Sequence, residues 1–239
     1  MGRLFLVRHA QASFLADNYD ELSKLGEKQA RLLGEFWARR KMAFDRVCTG
    51  PAVRHRRTAE IVGEVFQQGG LRLPEPAVMP ELDEFAADAV LSEGLAQLLP
   101  QNAEIRKLHE QFQRAVTEEQ RRAAFQRLFE AVVSRWVQGE IAITVAGTWQ
   151  EFCACVNRGL SRFFAASKRG ELAVLFTSGG PISVCVQRAL QLSAQETLRV
   201  AWMSRNAAFS EFLFSGDRVT LSTFNAFPHL DDDSLLTYR

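Results

Sequence analysis

The sequence predicts an α/β protein, a three-layer α/β/α sandwich with a mostly parallel central sheet and a helical insertion. Short apolar runs that suit strands alternate along the chain with segments of helical periodicity. The 239 residues are 47% hydrophobic, which is enough for one sizeable core. We therefore expect residues 1–239 to form a single domain, in which residues 87–139 are a helical insertion that acts as a cap.

The predicted strands begin with residues 3–7, a short apolar run that suits a strand covered on both faces. Val174, Leu175 and Phe176 are apolar without a break and predict a central strand. The other predicted strands span residues 45–49, 172–177, 209–214 and 219–224.

The predicted helices carry recognisable start signals. Ser23 precedes an apolar stripe of helical spacing and suits an N-cap. Pro100 and the capping box at Thr117 divide residues 87–139 into three helical pieces. We expect the residues from Asp231 onward to form a solvated tail. The predicted capping boxes are Thr117 with Gln120, Thr148 with Glu151, and Ser193 with Glu196.

Composition excludes several classes of partner. The net charge is +1 and the charges are interspersed, so no basic stripe for nucleic acid is present. No apolar run approaches the roughly 20 residues that cross a bilayer, and no signal-peptide pattern opens the chain. The four cysteines lack zinc spacing. We expect reduced thiols, a cytoplasmic protein, and neither a metal nor a cofactor.

Arg8 and His9 follow directly on the first predicted strand. Ligands of open α/β sheets bind at the carboxyl ends of strands. A guanidinium can hold a phosphate through two hydrogen bonds, and an imidazole can attack phosphorus. A surface Arg-His pair is the alternative interpretation.

The segment 49–59 leaves the second predicted strand and opens a helix, with Pro51 suited to the first helical position. Arg54 then lies near the helix N-terminus, where anions bind readily. One helical turn cannot aim all of the bases at a single site. We therefore select Arg54 and expect His55, Arg56 and Arg57 to lie at the rim or on the surface.

Two further segments could complete a site. The acidic residues Glu81, Asp83 and Glu84 could supply a general acid, or form a solvated loop. Ser178, Gly179 and Gly180 follow the predicted central strand and could cradle an oxyanion through backbone N–H groups, or form a tight turn.

Together these segments resemble the histidine phosphatase superfamily, also called phosphoglycerate mutase-like, from residue 3 nearly to residue 230. The blocks are short, and their shared order and spacing make the resemblance specific. The matching blocks are Leu6-Val7-Arg8-His9-Ala10, the stretch from Leu22-Ser23 through Gly26 to Gln29-Ala30, Arg54 with Thr58-Ala59, Leu82-Asp83-Glu84, Asn206, and Phe224-Asn225 with His229-Leu230.

The resemblance implies a phosphoglycerate mutase-like domain with assigned roles. His9 would be the nucleophile that becomes a phosphohistidine, and Glu84 the general acid, with Glu81 as the alternative. Arg8, Arg54 and Ser178 would bind phosphate. Ser178 stands where the family usually has a second histidine, which is similar to a subgroup with serine in this turn. Ala10 replaces a glycine and Arg57 a glutamine.

The resemblance implies a phosphatase that hydrolyses phosphomonoesters, either of a small molecule or of a phosphoprotein. Ser178 and Ala10 motivate an alternative, a pseudoenzyme that binds a phosphorylated ligand or partner without turnover. A phosphoglycerate-type mutase ranks last, because the Trp-Asn and Phe-Thr-Gly-Trp stretches typical of true mutases are absent after Ser13. Aromatic residues in the insertion could support a homodimer.

Overall fold

The computed structural model describes residues 1–13 and 20–238. The strands that these residues form are β1 (Gly2–Arg8), β2 (Arg46–Thr49), β3 (Ala77–Val78), β4 (Leu172–Thr177), β5 (Phe209–Ser215) and β6 (Arg218–Ala226). Their α-helices are α1 (Lys24–Arg39), α2 (Val53–Gln68), α3 (Ala87–Leu98), α4 (Ala103–Arg114), α5 (Glu118–Val137), α6 (Trp149–Ala165), α7 (Gly179–Leu190) and α8 (Ala194–Met203).

The strands form one sheet in the order β3-β2-β4-β1-β5-β6. The pairs among β3, β2, β4 and β1 are parallel, and β5 and β6 extend the sheet in antiparallel fashion. Arg8 pairs with Thr177 and Thr49 pairs with Phe176, so β1, β2 and β4 end at the same edge. The predicted α/β fold with a mostly parallel sheet is confirmed. The loops after these strands therefore meet.

Alternating side chains of the strands pack under helices on opposite faces. Phe5 and Val7 belong to a buried cluster with Trp37 of α1 and Phe66 of α2. Phe214 pairs in register with Gly2 and so points to the opposite face, where the ring of Phe164 of α6 lies 5.2 Å from its ring. The sheet is thus the middle layer of the predicted sandwich.

Sequence signals located several helix starts, although α2 begins at Val53 and not at Pro51 as expected. Ser23 accepts a hydrogen bond from the N–H of Gly26 as the N-cap of α1. All three predicted capping boxes form. The prediction omitted β3, whose residues Ala77 and Val78 are both exposed and too few to show alternation.

Residues 85–154 form a compact unit of their own, and the remaining residues form another. Helices α3, α4 and α5 lie in this unit and correspond to the three predicted helical pieces. Its aromatic core includes Trp136, whose ring lies 5.1 Å from Phe85 and 5.7 Å from Trp149. The assignment of the whole chain to one domain with residues 87–139 as a cap stays a prediction.

The solvated-tail prediction is wrong for the last part of the chain. Asp231 is exposed, as expected, but Leu235 is buried. The carbonyl of Leu235 accepts a 2.8 Å hydrogen bond from Gln29 Nε2, and the carbonyl of Thr237 accepts one of 2.9 Å from the N–H of Asn206. These polar contacts hold a segment whose composition alone resembles solvated loop.

The block from Ser23 to Gln29 holds the loop that follows β1. Ser23 Oγ donates to Gln11 Oε1 over 2.8 Å, and Gln29 Oε1 accepts from the N–H of Gln11 over 2.9 Å. A Cβ at Gly26 would lie 2.1 Å from the carbonyl oxygen of Gln11. Glycine is therefore required at position 26 because the backbone of the loop crosses α1 there.

We expect Gly26→Ala to lower the free energy of unfolding by about 2–4 kcal/mol, because a new methyl group must push the Gln11 backbone away. The measurement is urea unfolding followed by circular dichroism. Gly63→Ala in α2 is the matched control, because the nearest atom to its new Cβ is 3.7 Å away. It should stabilise the helix by about 0.5–1 kcal/mol. Equal effects at the two positions would refute this role of Gly26.

Candidate active site

His9 is fixed by its backbone at the end of β1. Its N–H donates to the Thr177 carbonyl over 2.8 Å, and its own carbonyl accepts from Asn206 Nδ2 over 3.1 Å. The residue is 6% exposed. The position of the imidazole is therefore set by contacts with β4 and with the loop before β5.

The ring of His9 has a defined tautomer. Its Nδ1 lies 2.8 Å from the carbonyl oxygen of Ala10. A carbonyl only accepts, so Nδ1 carries the proton and Nε2 keeps its lone pair. Burial, together with the charges of Arg8 and Arg54, holds the pKa of His9 well below 6.5. His9 is thus neutral near pH 7.

Ala10 fits its position without strain. The residue is fully buried and does not adopt a positive φ. Its N–H donates to Thr58 Oγ1 over 3.1 Å, and that hydroxyl donates to the Arg54 carbonyl over 2.7 Å. The replacement of glycine by Ala10 therefore distorts nothing. Thr58 in turn links the loop after His9 to the helix that carries Arg54.

Asn206 and Asn225 hold the loop on the other side of His9. Thr237 Oγ1 donates to Asn206 Oδ1 over 2.9 Å, which orients the amide so that its Nδ2 faces His9. Asn225 donates to the Met203 carbonyl and accepts from the N–H of Arg205, both over 2.8 Å. The block around Asn206 and Asn225 thus supports the site rather than lining it.

Arg54 lies in the first turn of α2 beside Asp20. Its Nη1 lies 2.7 Å from Asp20 Oδ1, and its Nη2 lies 3.5 Å from Ser178 Oγ. Asp20 Oδ2 also accepts from the N–H of Val53 over 2.8 Å. Burial works to raise the pKa of Asp20, but the Val53 and Arg54 hydrogen bonds and the Arg54 charge outweigh it and lower that pKa.

Asp20 is a site residue that sequence reasoning missed. The surplus of bases at residues 54–57 was a signal that nearby carboxylates must balance them. Nothing in the sequence singles out Asp20 from the other acidic residues, because its contact with α2 is made in three dimensions.

Arg8 is anchored by the loop after α8. Its Nη1 donates to the carbonyl of Ser204, and the side chain is half-buried. The charges of Arg8 and Arg54 both act on the pKa of His9, so two guanidiniums from different elements lie near one imidazole.

His55 corrects the sequence prediction. The rim or surface position expected for it is wrong, since the side chain is fully buried. Its Nε2 lies 2.6 Å from Ser178 Oγ, and its ring centroid lies 5.6 Å from that of His9. Burial, with the charge of Arg54, lowers the pKa of His55 to about 3. His55 points inward because it lies four residues before Ala59 and seven before Val62, on the buried face of α2.

Arg56 and Arg57 lie at the surface as predicted. Arg56 is exposed, and Arg57 pairs with Glu64 over 2.9 Å and with Glu27 over 3.6 Å. Neither contact involves the residues around His9.

The two candidate acids lie in different surroundings. Glu84 Oε2 accepts from the N–H of Gly180 over 3.1 Å, in the turn that contains Ser178. Glu81 pairs with Arg162 of α6 over 2.6 Å. The geometry therefore favours Glu84 over Glu81 as the carboxyl that faces the site.

Within residues 1–13 and 20–238, no cluster of three or more histidine, cysteine, aspartate or glutamate residues could hold a metal ion. None of the helices in this part of the chain is long and apolar enough to cross a membrane.

An imidazole, two guanidiniums and a hydroxyl lie together at the carboxyl edge of a parallel sheet, which is where α/β proteins bind their ligands. The chain belongs to the histidine phosphatase superfamily (branch 1), whose sequence profile matches residues 4–226. No curated protein gives a significant match.

Solved structures share the fold. The α-ribazole phosphatase from Shigella flexneri is 18% identical, with 94% of this chain and 96% of that chain covered and a TM-score of 0.61. The phosphoserine phosphatase from Entamoeba histolytica, in complex with 3-phosphoglyceric acid, is 14% identical, with 96% of this chain and 100% of that chain covered and a TM-score of 0.63. A mycobacterial glucosyl-3-phosphoglycerate phosphatase in complex with inorganic phosphate is 22% identical, with 96% of this chain and 99% of that chain covered and a TM-score of 0.62.

Acid should destabilise the protein through its buried histidines. The pKa of His9 lies well below 6.5, that of His55 is lowered to about 3, and burial lowers that of His229 to about 4. The unfolded chain binds these protons near pH 6.5 whereas the folded chain does not, so stability falls as the pH drops below that value.

We expect the free energy of unfolding to fall by about 4 kcal/mol between pH 7.5 and pH 5.5, at about 1.4 kcal/mol for each histidine. Urea titrations at the two pH values measure it. His55→Gln removes one titrating group and should reduce the loss by about 1.4 kcal/mol. A free energy of unfolding that stays level or rises as the pH falls would contradict the neutral state of these side chains.

Proposed function

We propose that this chain is a phosphatase that hydrolyses phosphomonoesters through a phosphohistidine at His9. One observation carries the proposal. The imidazole is neutral, its lone pair is on Nε2, and it lies within the field of the Arg8 and Arg54 guanidiniums. A neutral nucleophile beside two fixed cations suits attack on an anionic phosphoryl group, because the cations stabilise the charge that the transition state spreads over its oxygens.

The proposed reaction has two steps. The lone pair of His9 Nε2 attacks phosphorus, so that a P–N bond forms and the P–O bond to the leaving group breaks. The leaving oxygen takes a proton from the Glu84 carboxyl. Water then attacks the phosphohistidine and gives a proton to the Glu84 carboxylate, and phosphate leaves as the P–N bond breaks.

The position of each residue supports its role. Arg54 is steadied by Asp20 through Nη1, which directs Nη2 towards Ser178. Glu84 is held by the N–H of Gly180. The named solved structures are phosphatases of three different compounds, so they favour hydrolysis in general over one substrate. The same proposal includes a small phosphorylated molecule or a phosphoprotein as the substrate. It also includes membership of a subgroup with serine at position 178, a possible homodimer and a cytoplasmic location.

A second candidate is a protein that binds a phosphorylated ligand or partner without turnover. The observation that favours it is the absence of a third cation among the described residues around His9, since Ser178 has no charge and His55 is neutral. Hydrolysis and binding differ in whether His9 becomes phosphorylated.

For hydrolysis we expect His9→Ala to lower kcat/KM for p-nitrophenyl phosphate by roughly 10⁴-fold or more, because the nucleophile is lost. Acid-labile, base-stable phosphate should be trapped on the wild-type chain and accumulate in Glu84→Gln, where water is no longer deprotonated. His109→Ala is the control for loss of a histidine. Equal rates for wild type and His9→Ala, with no trapped phosphate, would contradict hydrolysis at His9 and would favour a protein that binds its ligand without turnover.

Binding of inorganic phosphate tests the anion site separately. We expect Arg54→Ala to weaken binding by roughly 10–100-fold, measured by isothermal titration calorimetry, because a charge-assisted hydrogen bond is lost. Arg56→Ala removes a neighbouring exposed guanidinium from the same helix and should change affinity less than about twofold. Equal losses in the two variants would mean that only net charge matters.

A further inference from the structure

His55 is a buried titratable group that the proposed reaction does not use. It is fully buried, and its Nε2 lies 2.6 Å from Ser178 Oγ. The ring is fixed on its other side by backbone, since a Cβ at Gly50 would lie 2.4 Å from Nδ1. Gly50 therefore permits the close approach of the ring to the backbone.

The environment of the ring selects its tautomer. Nδ1 has no hydrogen-bond partner among residues 1–13 and 20–238. A proton on Nδ1 would leave a buried N–H without an acceptor, which proteins avoid more strictly than an acceptor without a donor. A proton on Nε2 is instead donated to Ser178 Oγ. Because the pKa of His55 is lowered to about 3, the ring does not carry both protons near pH 7.

This tautomer determines what Ser178 can do. Ser178 Oγ accepts from His55 Nε2, and Arg54 Nη2 approaches it to 3.5 Å. A hydroxyl has two acceptor positions and one donor. With the two acceptor positions facing nitrogens that donate, the hydroxyl proton points away from both and remains available to an oxyanion between Ser178 and His9.

We propose that His55 is a positioning residue that makes the Ser178 hydroxyl an obligate donor to the phosphoryl oxygens. The inference rests on the proposed function, since it assigns Ser178 to the phosphoryl group that His9 would attack. His55 acts through Ser178 and does not touch the substrate. The neutral pair of His55 and Ser178 thereby supplies a directed hydrogen bond at the position where the family usually has a second histidine.

Two substitutions at position 55 separate positioning from packing. Gln places an amide nitrogen near the position of His Nε2 and can donate to Ser178, whereas the shorter Asn cannot reach it. We expect His55→Asn and Ser178→Ala each to lower kcat/KM for p-nitrophenyl phosphate by roughly 10–100-fold and to weaken binding of inorganic phosphate. His55→Gln should stay within about threefold of wild type.

The double variant His55→Asn, Ser178→Ala completes a double-mutant cycle with the two single variants. If His55 acts through Ser178, the double variant is no worse than Ser178→Ala alone. Additive losses, or His55→Gln as poor as His55→Asn, would overturn the proposal. Should His55→Asn fail to fold, His55→Gln and Ser178→Ala decide, and a Ser178→Ala that binds phosphate as well as wild type would overturn it.

Nitrogen-15 NMR of the imidazoles provides a readout that packing does not move. We expect His55 to carry its proton on Nε2, and a proton on Nδ1 would contradict the proposal. The tautomer and the phosphate affinities do not depend on turnover. A chain without His9-dependent hydrolysis would thus refute the proposed phosphatase, while the positioning role would still be judged by phosphate binding and by the tautomer.

Discussion

The site depends on the contacts that immobilise His9 at the end of β1. Thr177 and Asn206 hold its backbone from two sides, and the Ala10 carbonyl holds its ring nitrogen. Because β1 lies between β4 and β5, the strand end is braced in both directions along the sheet. The imidazole is therefore held in one place by contacts within the protein itself, so little of its conformational freedom remains to be lost when a ligand binds.

The charged groups around this imidazole are partly balanced by one another. Burial and the charges of Arg8 and Arg54 keep His9 neutral, and the helix N-terminus that carries Arg54 is itself neutralised by the carboxylate of Asp20. The four basic residues 54–57 point in different directions. Arg56 faces solvent, and Arg57 pairs with carboxylates on the outer surface. A short basic sequence therefore contributes one guanidinium to the site and one buried neutral ring.

Several residues of the blocks that resemble the family act as structural supports. Gly26 lets the Gln11 backbone cross α1, Thr58 joins Ala10 to Arg54, and Asn206 holds the carbonyl of His9. The docked segment around Thr237 orients Asn206 in turn. The motif residues thus share one task, which is to hold the loops at the carboxyl edge of the sheet. Their spacing in the sequence reflects which loops must meet.

The sequence by itself determined the strands other than the short β3, several helix starts and the candidate residues His9, Arg8 and Arg54, because periodicity, capping and strand-end chemistry are local signals. Only the tertiary structure decided that His55 is buried against Ser178, that Asp20 pairs with Arg54, and that residues 235–237 are docked. These outcomes depend on contacts between residues far apart in the chain. Helical periodicity places His55 on the buried face of α2, but no local pattern encodes which loop that face meets.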